Sequence, residues 1–528
     1  MNKISNILLT YNRGYQWFLK DGVSVKGYLF DEHNHYLETE ELVSYFEGVN
    51  SSEEFKCKLE KANGIFSVII EKEETVFAAC DITRTFPLFY CILDDKINLT
   101  DDPDNFRSLN IPFSLDQEAS VLFEYSGYVC GNKTLLKGIN QIQAGEYIYL
   151  DRINSFKRTF FYEYLSETFT SKDYSDLKVK LKGVLENVGK RLILSLKNRP
   201  VALPLSGGFD SRLIAYLLKK NDYSNVFCFT YGKESSPELS NSKRTAEKLG
   251  YKWIFVNHRK HYDQFFIKDI IFRDYVKFST NYTSNFFLQE YFTALYLSGE
   301  RRLPSDTVFI PGHSGDAIAG SHLKFVDNPH FSVRKYILRN NFNRLYPYKK
   351  NISVIIKFID QQIPDNPHIP SFLKYENWNF KERQSKFIVN SSKIWDYFGY
   401  QYLLPLWDLE LVEFFKKLPF EYKQYKKLYD DVLKDLFVEE GIYYDEDELH
   451  IAKLRLGLTK RLFVIKELFP FLQRKKNIWK NDNLGFEQLS KDFLSELKES
   501  GVDKDIILSN GIFSSWYLQQ VKNELSEG

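Results

Sequence analysis

Two aspartates, each just past a glycine-containing turn, are the residues of this chain best placed to do chemistry. Asp210 lies in "LPLSGGFDSRL" (203–213) and Asp316 in "TVFIPGHSGDAIAGSH" (307–322). In both stretches an apolar run that reads as a strand meets glycines and then an acid. Gly207 and Gly208 permit positive φ and a close approach of backbone to an anion. A helix starting near Asp210 would aim its free N–H groups and the positive end of its dipole at the same place. Ser206 and Ser211 add hydroxyl donors, and Ser314 and Gly315 complete the second turn. A carboxylate in such a phosphate cradle repels its guest unless a divalent cation bridges the two. Mg²⁺ prefers one or two carboxylates together with phosphate oxygens. The pair Asp210 and Asp316 therefore predicts Mg²⁺, and with it a nucleoside triphosphate or pyrophosphate. No G-x-x-x-x-G-K-[ST] occurs in the chain, and the first loop does not have the G-x-G-x-x-G spacing of a dinucleotide turn. The competing readings are an ordinary strand-to-helix turn at Asp210 and a helix-capping acid at Asp316.

The elements that must hold these loops are legible in the hydrophobic pattern. "GIFSVIIEKEETVFAACD" (64–81) reads as two strands around a charged turn, and "PLFYCILDDKINLT" (87–100) as another pair joined at Asp94 and Asp95. "AGEYIYLD" (144–151) alternates, which predicts a half-buried strand. The segment 165–173 reads as a linker. Beyond it, Leu177, Leu181, Val184, Leu185 and Val188 form a helical stripe. Then "VALPL" (201–205), "SRLIAYLLKK" (211–220), "VFCFTYG" (226–232), "PELSNSKRTAEKLG" (237–250) and "WIFV" (253–256) alternate as β-α-β-α-β. Pro237 suits a first helical turn and Gly250 a helix end. This order implies a parallel sheet with right-handed crossovers, whose ligands sit beyond the carboxyl ends of the strands. The last third reads as mostly helical.

Length and composition bound the function. At 528 residues the chain is long for one core. Its 71 basic and 70 acidic side chains leave a net charge of +1, which argues against a dedicated nucleic-acid binder. The run "QRKKNIWK" (473–480) is the best candidate for a local basic patch and equally a solvated helix end. No stretch approaches the roughly 18 apolar residues of a membrane span, and the N-terminus has no signal-peptide pattern. The five cysteines Cys57, Cys80, Cys91, Cys130 and Cys228 are widely spaced and form no C-x-x-C pair, so a reducing, cytoplasmic setting is expected. The His33/His35 and His258/His261 pairs lack further metal ligands.

At this point the residues resemble a known family. S-G-G-x-D-S is similar to the pyrophosphate loop of the asparagine synthetase superfamily, whose members adenylate a carboxylate with ATP and release pyrophosphate. The segment 229–256 resembles the family's second strand, acidic loop and helix, and "GHSGDAIAG" (312–320) its second Mg²⁺ loop. "LLPLWDLELVEFFKKLP" (403–419), with Pro405 and Asp408, resembles a further family segment, and 63–90 the core of its N-terminal amidohydrolase-like domain. Three departures stand out. Position 2 is Asn2, where a glutamine-hydrolysing member has a cysteine with a free α-amine, and the family's Asn-Gly-Glu run is missing; loss of glutaminase activity is expected. His313 stands where some members carry a catalytic Glu or Tyr, and either acts as a base or only shapes the turn. In "IAKLRLGL" (451–458), Lys453 or Arg455 takes the place of a lysine that stabilises developing phosphate charge, or is an exposed basic residue. "NWNFKERQSKF" (377–387) offers polar groups that can face a substrate.

The resemblance implies an α/β protein with a sheet-rich, Ntn-type α+β domain at 1–165. A parallel-sheet, ATP-pyrophosphatase-like domain with a helical C-terminal part follows at 170–528. The expected activity is an ATP- and Mg²⁺-dependent carbon–nitrogen ligase. It adenylates a small-molecule or peptide carboxylate and passes the acyl group to ammonia or a substrate amine. Ser206, Gly207, Gly208, Asp210, Ser211 and Gly315 hold ATP, and Asp210 and Asp316 hold the metal. Catalytic roles fall to His313, Lys453 and Arg455. No membrane or nucleic-acid partner is expected. The alternatives are a non-catalytic, nucleotide-binding regulator and an ATP-dependent nucleic-acid-modifying enzyme.

Overall fold

The computed structural model describes residues 4–94, 96–151, 155–166, 168–169, 173–236, 238–262, 266–299, 302–324, 331–342, 351–446, 482, 484–501 and 509–527. Lys453, Arg455, Asn2, Pro237 and the basic run 473–480 lie outside the described residues.

The first part of the chain is built on two sheets. Strands β1 (Ser5–Leu8), β2 (Phe18–Lys20), β3 (Val23–Phe30) and β4 (Tyr36–Glu38) come first. Helices α1 (Thr39–Phe46) and α2 (Ser52–Lys61) follow, then β5 (Asn63–Glu71), β6 (Thr75–Cys80), β7 (Phe89–Leu93) and β8 (Lys96–Thr100). Helix α3 (Gln117–Ser126) precedes β9 (Asn140–Gln141), β10 (Glu146–Asp151) and β11 (Ser155–Phe160). One sheet has the order β11-β10-β6-β5-β3-β2 with β4 on β3; the other has the order β1-β8-β7-β9. Both strand pairs expected from the sequence form as antiparallel neighbours, β5 with β6 and β7 with β8.

Strand β10 departs from expectation: it is almost wholly buried instead of half-exposed. Its alternation separates two cores. Tyr147 joins the large cluster with Phe55 of α2 and Phe46 of α1, while Ile148 and Leu150 join Ile97, Leu99 and Leu88 under the second sheet. A strand covered on both faces needs no polar side, so its polar-looking positions are tyrosines whose rings pack.

The second part is α/β. Helix α4 (Tyr174–Leu196) is capped by Asp173, whose side chain accepts from the Asp176 N–H, and it buries the predicted stripe from Leu177 to Val188. Strand β12 (Val201–Pro204), helix α5 (Phe209–Lys220), strand β13 (Val226–Gly232), helix α6 (Glu238–Leu249) and strand β14 (Lys252–Asn257) follow the predicted alternation. Strands β15 (Val308–Phe309) and β16 (Gln401–Tyr402) complete a parallel sheet of order β14-β13-β12-β15-β16. From β12 the chain first winds one way, to β13 and β14, and later returns to the other side, at β15 and β16. The crevice beyond β12 and β15 is therefore a topological switch point. The remaining described elements are mostly helical, and no described helix is long and apolar enough to cross a membrane.

The two parts share one apolar cluster that runs from Tyr15 to Val521. A buried ion pair reinforces the contact: Arg191 of α4 grips Asp408 through Nε at 2.6 Å and Nη2 at 2.8 Å, and Asn63 at the start of β5 donates to the same carboxylate at 3.0 Å. Asp408 also caps the helix Leu409–Lys416.

Candidate active site

The loops after β12 and β15 meet at the switch point. Asp210, in the first turn of α5, accepts the Asp316 N–H at 2.8 Å through Oδ2 and the Tyr429 hydroxyl at 3.0 Å through Oδ1. Burial, then the charge of Asp316, push the Asp210 carboxyl up to about 7, against the opposing pull of Lys426. Two carboxylates thus converge although 106 residues separate them in sequence.

The two loops are held differently. In the first, Ser211 Oγ accepts the Ser206 N–H at 3.0 Å and contacts Ser206 Oγ at 3.0 Å, and Ser206 Oγ accepts the Gly208 N–H at 3.1 Å. Both predicted hydroxyl donors thus brace the turn itself. Fully buried Arg212 donates to the Gly207 carbonyl at 2.8 Å from behind. The expected positive φ does not occur: Gly208 sits at φ −79° and Gly207 is also outside the left-handed region. Close approach is what these glycines supply, since a Cβ on Gly207 would come 3.2 Å from the Cα of Glu238. Within the two loops the left-handed residue is Ser314, at φ 88° in the second. There a Cβ on Gly312 would lie 2.7 Å from the backbone of Ser211, and one on Gly315 would lie 3.0 Å from the Asp210 carboxyl carbon.

A cavity of about 620 Å³ opens over these loops, lined by Ser206, Gly207, Gly208, Asp210, Ser211, Gly312, His313 and Asp316 among others. Gly315 packs directly beneath it, against Asp210 and Tyr429. A second cavity of about 460 Å³ adjoins it through the shared residues Pro204, Ser206, Tyr231, Glu238 and Gln289. His313 is half-buried, with Nε2 3.2 Å from Ser392 Oγ. Burial pushes its imidazole down to about 4 despite Asp316 nearby, so the ring is neutral at pH 7.

Lys426 is a residue the sequence reading missed. It is the one Lys or Arg among the described residues lining the larger cavity. Its ammonium lies 3.1 Å from Asp430, and its backbone is left-handed, as is that of Tyr425. The signal available in sequence was only a basic run, "YKQYKKLYDD" (422–431), which looks like a solvated surface. The run 377–387 behaves differently from expectation: its charged and amide groups turn inward. Glu382 accepts the Gly131 N–H at 2.9 Å and pairs with Lys386 at 2.7 Å, and Gln384 accepts the Ser314 hydroxyl at 3.1 Å. That segment supports the second loop instead of lining the cavity. Of the histidine pairs, His35 contacts Asp31 at 3.0 Å and His258 contacts Thr293 at 3.0 Å.

With this geometry in place, comparison with known proteins is informative. The family model "Asparagine synthase" matches residues 188–439, which contain both loops and Lys426. This part of the chain is thus similar to the asparagine synthase family. The microcin J25-processing protein McjC of Escherichia coli is 26% identical over 291 residues, covering 54% of this chain and 51% of McjC. The chain therefore spans about half the length of that relative. Among solved structures, the allosteric regulatory enzyme of purine biosynthesis matches at 12% identity over 47% of this chain and 63% of its own, with a TM-score of 0.19. The glutamine phosphoribosylpyrophosphate amidotransferase of B. subtilis, in complex with ADP and GMP, matches at 10% identity over 56% of this chain and 63% of its own, also with a TM-score of 0.19. Similarity at that level carries no argument about fold or ligand.

Proposed function

We propose that this protein is an ATP-dependent amide-forming ligase that activates a carboxylate as its acyl-adenylate, releases pyrophosphate and transfers the acyl group to nitrogen. The observation that carries this reading is the pair Asp210 and Asp316, joined at the N-terminus of α5 in one cavity with Lys426. The donor set fits Mg²⁺. Burial, then the neighbouring Asp316, raise the Asp210 carboxyl, and among the described residues no third His, Cys, Asp or Glu completes an all-protein metal cage. Phosphate oxygens and water are the ligands Mg²⁺ then takes. When bound, Mg²⁺ neutralises the β- and γ-phosphate charge and orients the triphosphate.

The chain's own groups do the rest in this proposal. The N–H groups opening α5 and the loop of Ser206, Gly207, Gly208 and Ser211 receive the pyrophosphate. Gly315 leaves room for Asp210. Lys426 stabilises charge that develops on the α-phosphate as the substrate carboxylate attacks and the α–β bridge breaks. His313, neutral at pH 7, orients substrate through hydrogen bonds. Lys453 and Arg455 keep their proposed phosphate role as candidates outside the described residues. The name of McjC, a microcin-processing protein, favours a peptide as the carrier of the carboxylate. The missing Asn-Gly-Glu run supports the further proposal that glutamine is not hydrolysed by an Ntn-type domain at 1–165, and that the ligase domain begins near 170. Five free thiols, four of them buried, favour a reducing, cytoplasmic setting.

The test is Mg²⁺-dependent binding of a non-hydrolysable ATP analogue, followed by pyrophosphate exchange with candidate peptides. Tight binding that needs Mg²⁺ and falls at least tenfold in Asp210→Ala is expected. Absence of Mg²⁺-dependent binding would sink the proposal. Binding without exchange for any carboxylate would favour a non-catalytic regulator.

A further inference from the structure

The larger cavity is acidic for a site that receives a polyanion. Besides Asp210 and Asp316 it is lined by Glu238, Glu290, Asp430 and Glu446, against the single Lys426 among its described residues. Most of this charge is accounted for. Asp210 and Asp316 fit the metal, Asp430 pairs with Lys426, and Glu238 and Glu446 are exposed to solvent. Glu290 is the exception. It is half-buried at the start of the helix Tyr291–Ser298. Its Oε1 accepts the Tyr231 hydroxyl at 2.7 Å, and Gln289 donates to that same hydroxyl at 2.8 Å. The other oxygen, Oε2, is buried with no hydrogen-bond partner among the described residues. Burial pushes its carboxyl up to about 7, while hydrogen bonds from the Tyr231 hydroxyl and from the Glu290 backbone N–H oppose the rise.

A buried carboxylate oxygen without a partner is costly, and native sites keep one when a ligand completes it. Tyr231 stands at the carboxyl end of β13, and its ring stacks on His258 at 5.3 Å, so the hydroxyl that orients Glu290 is itself fixed. Tyr231 and Gln289 line both adjoining cavities. Glu290 thus stands in the same cavity as the phosphate loops, on a different wall.

We propose that Glu290, oriented by Tyr231 and Gln289, is the receiving site for the amine nucleophile. This rests on the ligase reading given above. The amine arrives as an ammonium and pairs with the carboxylate. One proton passes from nitrogen to Oε2, and the freed lone pair attacks the acyl carbon of the adenylate. The C–N bond forms, the bond from acyl carbon to phosphate oxygen breaks, and AMP departs with the second proton from nitrogen on its phosphate. Glu290 ends as the neutral acid and returns its proton to solvent.

The experiment uses propylammonium as probe, with 1-propanol as the neutral match of the same size. Both are titrated into the full-length protein by calorimetry, with the ATP analogue and Mg²⁺ present. Propylammonium should saturate a site at least tenfold more tightly than propanol, and Glu290→Gln should remove that preference. Equal binding of the two probes by the unaltered protein overturns the proposal, as does an undiminished preference in Glu290→Gln. Should Glu290→Gln not fold, Tyr231→Phe, which frees Oε1, should change the preference by severalfold, and an unchanged preference there also overturns it. Nucleotide binding is read separately in the same titration series. Absence of an amine preference in the unaltered protein with Mg²⁺-dependent nucleotide binding intact would reject this site alone, whereas absence of nucleotide binding would reject the ligase reading.

Discussion

The loop of 206–211 and the loop of 312–316 carry the same kind of sequence, glycines and serines before an aspartate, yet they are held by different forces. The first is braced by hydrogen bonds: Ser206 and Ser211 close the turn, and Arg212 secures the Gly207 carbonyl. The second has hydrogen bonds too, from Ser314 to Gln384 and from the Asp316 N–H to Asp210, but is confined more tightly by contact: Gly312 abuts the backbone of Ser211, Gly315 faces Asp210, and Ser314 takes a left-handed conformation. Similar residues thus answer to different demands. In the first loop a lost hydrogen bond is the relevant injury; in the second it is an added atom.

The contrast can be broken in order of severity. Gly312→Ala should do the most damage, because its Cβ would meet backbone atoms of Ser211 at 2.7 Å that cannot yield singly. Overpacking of this kind costs about 1–3 kcal/mol. Urea melts should show it, and affinity for the ATP analogue with Mg²⁺ should fall tenfold or more because the loops separate. Gly315→Ala should be milder in the melt, about 1 kcal/mol, since Leu406 and Tyr429 meet the new atom with side-chain ends at 2.8 Å. It should still weaken the metal-dependent binding, because the Asp210 carboxyl must shift. Ser211→Ala removes the hydroxyl that joins both ends of the first loop and should cost about 1 kcal/mol in the same melt. Gly208→Ala should be nearly silent, within about 0.5 kcal/mol. Its φ of −79° suits any residue, and the added atom meets only the Ser206 hydroxyl at 3.3 Å. A Gly208→Ala variant as damaged as Gly312→Ala would abolish the distinction.

A pH titration sharpens a second contrast within the cavity, between its metal wall and its Glu290 wall. With Glu290 near 7, its charged form prevails above that pH. Propylammonium stays protonated through this range, as an alkyl amine near 10.4 does. Its affinity should therefore rise with pH through about 7 and fall below it, measured by calorimetry from pH 5.5 to 8.5. Burial holds Tyr231 and Tyr275 well above their usual range and His258 down near 4, whereas Asp210 in the same cavity also sits near 7, so the rise is read against Glu290→Gln, in which it should vanish.

Much of the fold was readable because its signals are local. The alternation from β12 to β14 follows from period and turn residues, and the stripe on α4 falls where the pattern puts it. Strand β10 was misjudged because alternation reports two unlike faces and does not say whether both are covered. The two acidic loops were readable for the same local reason, since strand, glycine turn and aspartate follow one another within a few residues. Lys426, Tyr429 and Glu290 were not. Each lies in a segment whose own composition is unremarkable, and Tyr429 reaches Asp210 across 219 residues of chain.

The amino-acid sequence by itself determined the parallel α/β core and the two acidic loops, because period and glycine placement act over a few residues. Only the tertiary structure decided which lysine among the described residues lines the cavity, that the loop serines brace the turn, and that Glu290 holds an oxygen without a hydrogen-bond partner among the described residues. Those are matters of desolvation and contact, set by side chains that arrive from distant segments, and no short window of sequence contains them.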